Sequence, residues 1–94
     1  MPEKTVAEEA HDLVNGARAD HYGEPVKNHR RIGMVWAILL DLPEPIPPRT
    51  VAVLLAAMKL VREAGPAGKR DNLVDACGYL LIAERAGKEG LEPR

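Results

Sequence analysis

The chain contains no serine, no phenylalanine and a single cysteine, Cys77. Nucleophilic catalysis by a hydroxyl or thiol needs such a residue beside a base, so covalent chemistry is not the leading expectation, and Cys77 reads as a small core residue. One cysteine forms no internal disulfide, and the Glu-rich start from Met1 to Ala10 does not resemble a signal peptide. The expected location is therefore the cytoplasm. The longest apolar run, Val51 to Met58, is far too short to span a bilayer. Charge of one sign is lacking too. With 13 basic and 14 acidic residues the net charge is −1, which gives no overall field for nucleic acid or an anionic membrane, so any anion binding has to be local. No apolar/polar alternation marks a strand, and no segment repeats.

What is present fits one soluble domain: 94 residues, 46% hydrophobic and 29% charged. Thr5 and Glu8 form a capping-box pattern, after which Val6, Ala10, Leu13, Val14 and Ala17 recur at helical spacing. Pro25 opens a second helix whose Val26, Ile32, Val35, Trp36 and Leu39 form one stripe, ended by Pro43, Pro45, Pro47 and Pro48. A third helix starts near Pro48 to Thr50 and runs to about Glu63 before the Gly65, Pro66, Gly68 loop. The fourth starts near Asp71, with Asp71 or Asn72 as cap and Leu73, Val74, Cys77, Leu80 and Leu81 as its apolar face, and is closed by Gly87 and Gly90. The expectation is an all-α, four-helix, antiparallel bundle-like single domain over residues 1–94, with an ordered core at 5–86 and a frayed tail at 87–94.

The chemistry concentrates where the third and fourth helices meet. At 100° per residue, Arg62 shares the large apolar face of Val51, Leu55 and Met58, and Lys59 flanks it. Ala52, Ala56 and Glu63 form a small or polar sector, while Val53 and Leu60 form a second apolar patch, which predicts burial on two sides and hence a homo-oligomer. On the fourth helix Asp71, Asp75 and Tyr79 lie at i, i+4, i+8, with Asn72 three residues before Asp75 and Ile82 continuing the sector inward. A short loop makes the two helices antiparallel neighbours and brings Lys59 and Arg62 toward Asp71 and Asp75. Such a cluster is either a salt-bridge network that fixes register or a polyanion site in which the cations grip phosphate.

A second polar group runs Arg18, Ala19, Asp20, His21, Tyr22, Gly23, Glu24, Pro25, followed by Asn28 and Arg31. It reads as a helix-helix turn, with Tyr22, like Tyr79, placed beside polar residues where a ring can stack on a base. His21 and His29 lack the paired spacing of a metal site and read as partly exposed polar residues. The Gly65 to Arg70 loop lacks the Gly-Lys-Ser/Thr ending of a phosphate loop. Arg18, Lys27, Arg30 and Arg31 form a modest basic patch with no nucleic-acid motif around it, which ranks nucleic-acid recognition low.

Taken together, Arg18, Asp20, Tyr22, Gly23, Asn28, Trp36, Lys59, Arg62, Asp71, Asn72, Asp75, Gly78 and Tyr79, spread over about residues 14 to 85, resemble a small uncharacterised domain family of phages and prophages. That family in turn resembles, as a short and distant relative, the MazG-like all-α nucleoside triphosphate pyrophosphohydrolases. In those enzymes a Glu-x-x-Glu and a Glu-x-x-Asp motif hold magnesium on the triphosphate. Here Asn72-x-x-Asp75 stands at the second motif and Lys59-x-x-Arg62 at the first, a reversal of charge that favours binding over turnover. The resemblance implies a nucleotide site: Lys59 and Arg62 on phosphate, Asp75 and Asp71 on a magnesium ion or a water, and Asn72, Asn28, Tyr22 and Tyr79 on the remainder of the ligand. The alternative is a non-enzymatic oligomeric interaction protein in which the cluster is structural.

Overall fold

A computed structural model describes residues 3–16, 24–66 and 68–89, with side chains to Gly87. Four helices are present and no strand occurs among the described residues: α1 (Val6–Asn15), α2 (Pro25–Leu39), α3 (Pro48–Ala64) and α4 (Arg70–Glu89). Local chemistry explains the boundaries. Thr5 caps α1 through a reciprocal box, its Oγ1 accepting from the Glu8 amide at 3.1 Å while Glu8 Oε1 accepts from the Thr5 amide at 2.8 Å. At α2 the Glu24 carboxylate accepts from the amides of Val26 and Lys27, at 3.0 and 2.6 Å, and Pro25 occupies the first turn. The fourth helix begins one residue before the expected Asp71, so Asp71 and Asn72 lie in its first turn and are not its caps; it then passes through Gly87 to Glu89. The remainder of the expected tail lies outside the described residues.

The proline segment between α2 and α3 folds back on α2. The Ile46 amide donates to the Gly33 carbonyl at 3.2 Å, and a Cβ at position 33 would collide with the Ile46 carbonyl, so only glycine fits there. α4 packs along α3 and, less extensively, along α1; α2 rests on α3 and barely meets α4. The resulting body is elongated, 49 × 31 × 24 Å, with a radius of gyration of 14.3 Å. A compact domain of this length would have about 12 Å.

The side chains in the core are small. Its buried apolar residues are Ala10, Val14, Val26, Ala37, Val51, Ala52, Ala56, Val74, Ala76, Ile82, Ala83 and Ala86, with no leucine or methionine among them. This corrects the expected faces. On α3 the expected face holds at its amino end, where Val51 is buried and Leu55 half-buried, and fails at its carboxyl end, where Met58 is 41% exposed and Arg62 is exposed; the sector of Ala52, Ala56, Lys59 and Glu63 turns inward beside it. On α2 the buried residues are Val26, His29, Gly33 and Ala37, and Val35 and Leu39 of the expected stripe face out. On α4 Val74 is buried but Leu73 and Leu80 are exposed. Small residues win these positions because they let helix backbones approach closely, and side-chain hydropathy alone does not register that gain. No helix among the described residues is long and apolar enough to cross a membrane.

Candidate functional site

The turn between α3 and α4 sets the geometry of the polar cluster. Gly65 caps α3, its amide donating to the Arg62 carbonyl at 3.3 Å. Gly68 lies so close to α3 that a Cβ would stand 2.7 Å from the Glu63 carbonyl. Glu63 then serves both helices: its Oε1 accepts from the Lys69 amide at 2.8 Å and from Asn72 Nδ2 at 3.4 Å. A carboxylate placed at the amino end of α4 is also favoured by that helix's dipole. Helical spacing alone places Glu63 in a small or polar sector with Ala52 and Ala56. Its signal was an acidic residue at the very end of a helix, facing a loop whose next helix needs an acceptor for its first amides.

With the helices tied in this way, Lys59, Arg62, Gly65, Pro66, Lys69, Asp71, Asn72 and Asp75 line a groove of about 510 Å³. The structure thus gathers five of the expected site residues: Lys59, Arg62, Asp71, Asn72 and Asp75. They differ in what they are free to do. Lys59 Nζ lies 3.0 Å from Asp75 Oδ2, with the lysine side chain 16% and the aspartate 39% exposed. Asn72 is buried, and its amide is held by Glu63. Arg62, Lys69 and Asp71 are exposed, and none of them enters an ion pair among the described residues. Lys69 is the cation that sequence reasoning missed, because its backbone amide, and not a helical face, aims it at the groove.

The other expected residues do not gather there. Tyr79 is half-buried behind the groove, against the core residues Val14, Ala52, Ile82 and Ala83. Its ring meets His29 edge-on, with centroids 6.0 Å apart. His29 itself is buried rather than partly exposed; its Nδ1 donates to the Pro25 carbonyl at 2.7 Å, since a carbonyl can only accept. Asn28 is half-buried on α2, which supplies none of the groove's described lining. Tyr22, Arg18, Asp20, His21 and Gly23 lie outside the described residues.

Magnesium finds little here. No three His, Cys, Asp or Glu side chains converge among the described residues. Asp71 and Asp75 offer two carboxylates, and one of them already accepts Lys59. A hard cation that prefers six oxygens does not fit this donor set as a resident ion.

Fold and groove together define a small domain, helical throughout its described residues, with a groove of mixed charge between α3 and α4. The chain belongs to the family described as Domain of unknown function (DUF6378), whose model matches residues 5–87. It is similar to the Gene 55 protein of Mycobacterium phage L5, at 33% identity over 76 residues, covering 81% of this chain and 48% of that protein. It is equally similar to the Gene 55 protein of Mycobacterium phage D29, at 33% over 89 residues, covering 95% of this chain and 58% of that one. The chain spans about half the length of the curated relatives it matches. No solved structure matches it.

Proposed function

We propose that the α3–α4 groove binds a small phosphate-bearing ligand of the nucleotide class, and that it holds the ligand without a resident metal. The observation that carries this reading is the pair of cations, Arg62 and Lys69, which enter no ion pair among the described residues and line a groove whose volume of about 510 Å³ suits a small molecule. Arg62 supplies a planar fork for two phosphate oxygens, and Lys69 adds a compact charge beside it. Lys59, oriented by Asp75, contributes a third positive centre deeper in the groove. Asp71 offers an acceptor for a hydroxyl or amine of the ligand.

Hydrolysis in the MazG manner asks for several carboxylates free to hold magnesium. Here Asp75 is engaged by Lys59, and Asn72 by Glu63. The groove therefore binds or sequesters its ligand, and the MazG-like resemblance supplies the choice of a nucleotide.

Thermal-shift titrations with nucleoside triphosphates, with and without magnesium, test it. At ligand concentrations about a hundredfold above Kd, stabilisation should be about 2.7 kcal/mol, a shift of several degrees. Arg62→Met should abolish the shift and leave the unliganded melting temperature unchanged, because the side chain is exposed. If no nucleotide raises the wild-type melting temperature, the reading fails.

A further inference from the structure

The outer face of α2 is divided along its length. Its amino half presents Lys27, Arg30 and Arg31, all exposed, and the helix contains no acidic residue. Its carboxyl half presents Met34, Val35, Ile38 and Leu39, which are 51, 52, 78 and 75% exposed, and Leu40 and Leu42 follow at 64 and 44%. Just beyond them the turn carries Asp41 and Glu44, both exposed. None of these five charged side chains enters an ion pair among the described residues.

We propose that two copies of the chain dock through this face, with their α2 helices antiparallel about a two-fold axis near Val35. Three features favour a second copy as the occupant. First, six large apolar side chains, each between 44 and 78% exposed, follow one another along the carboxyl half of α2 and the turn after it, and exposed apolar surface gathered in this way marks an interaction site. Second, an antiparallel arrangement brings Arg30 and Arg31 of each α2 toward Asp41 at the carboxyl end of the other, so a single surface is complementary to itself, as a two-fold contact requires. It also sets the two helix dipoles antiparallel, the amino end of each beside the carboxyl end of the other. Third, the core is built of small side chains, and the two most exposed of the large apolar ones, Ile38 and Leu39, stand together on this face. Asp41 disfavours an anionic membrane or nucleic acid as the occupant of the whole face.

Sedimentation equilibrium of the full chain at low salt tests the proposal. The expected mass is twice 10.3 kDa. Ile38→Glu should give a monomer with unchanged helical content, since that side chain touches no core. Arg30→Glu should weaken the dimer about tenfold or more, and adding Asp41→Lys to it should restore most of the loss. A wild-type chain that stays monomeric at about 100 μM overturns the proposal. So does a dimer that survives Ile38→Glu, or one that dissociates only with Leu60→Glu, which would put the contact on the far side of α3. A double charge swap no better than the single one overturns the antiparallel arrangement, and a monomer that pellets with phosphatidylserine vesicles assigns the face to a membrane instead.

Discussion

The two sides of α3 carry side chains of opposite size and reverse the usual rule for burial. Toward α4 the helix presents Ala52, Ala56, Lys59 and Glu63; away from it, Val53, Leu54, Met58, Leu60 and Val61, which are between 41 and 74% exposed. The inner side shows that close backbone approach, and not side-chain hydropathy, decides which face of this helix is packed. It also explains the groove. A seam of alanines draws α3 and α4 together along most of their length, and the long polar side chains of Lys59 and Glu63 take over where the helices meet the turn. The outer side has no such constraint, and its large side chains stay open to water.

The sharpest way to break the comparison is to exchange size across it. Ala56 is 2% exposed and Val61 is 74% exposed. Ala56→Leu should force the seam apart and destabilise the fold by ~1–3 kcal/mol, which is roughly 5–20 °C in melting temperature for a domain of this size. Val61→Ala should stay within about 0.5 kcal/mol of wild type. Thermal melts of the two variants check both. Equal effects would show that the two sides of α3 are packed alike.

The polar end of the seam gives the next smaller effect. Asp75→Asn leaves Lys59, whose side chain is 16% exposed, without its ion-pair partner. The loss should be about 1 kcal/mol, with a coupling between Lys59→Met and Asp75→Asn of about 0.5–1 kcal/mol in a double-mutant cycle, since Asp75 remains open to water. Additive losses in urea melts would mean that the pair contributes nothing to register, and that Lys59 is as free as Arg62 to meet a ligand.

Much of this architecture was legible in the chain. The capping box at Thr5 and Glu8, Pro25 at a helix start and the proline run ahead of Pro48 located helix ends to within a residue or two, because capping and proline act locally. The gathering of Lys59, Arg62, Asp71, Asn72 and Asp75 was legible for a similar reason: helical spacing plus a short loop leaves two antiparallel helices few ways to meet. What escaped was tertiary. The wheel places Arg62 with Val51 and Leu55 but cannot tell that this face emerges into water at its carboxyl end. Nor does spacing reveal that His29 is enclosed against Tyr79, or that Glu63 ties the turn. Gly33 fits only once the linker is seen folding back over it. Each of these depends on what stands opposite the residue, which a single helix does not encode.

The smallest expected effect concerns α1, which is held to α4 by charge more than the alanine seam is. Arg70 reaches back to Glu9 Oε1 at 2.5 Å and donates to the Lys4 carbonyl at 2.8 Å, while Lys4 pairs with Asp12. The hydrogen bond and charge of Lys4 hold the Asp12 carboxyl below its ordinary range, and the Thr5 amide and hydroxyl do the same for Glu8 in the cap. A carboxyl whose folded value is depressed stabilises the fold fully above its unfolded value, near 4, and loses that contribution as the pH falls through the lower folded value. All of these groups are solvent-exposed, so the effect is small and screened by salt. Hydrogen exchange should therefore show α1 amides opening more readily at pH 3 than at pH 6, relative to α3 and α4 and after correction for intrinsic rates, with Asp12→Asn abolishing part of the difference. Equal pH dependence in α1 and in the alanine seam would mean that α1 is held by Ala10 and Val14 alone, and that its ion pairs are incidental to the fold.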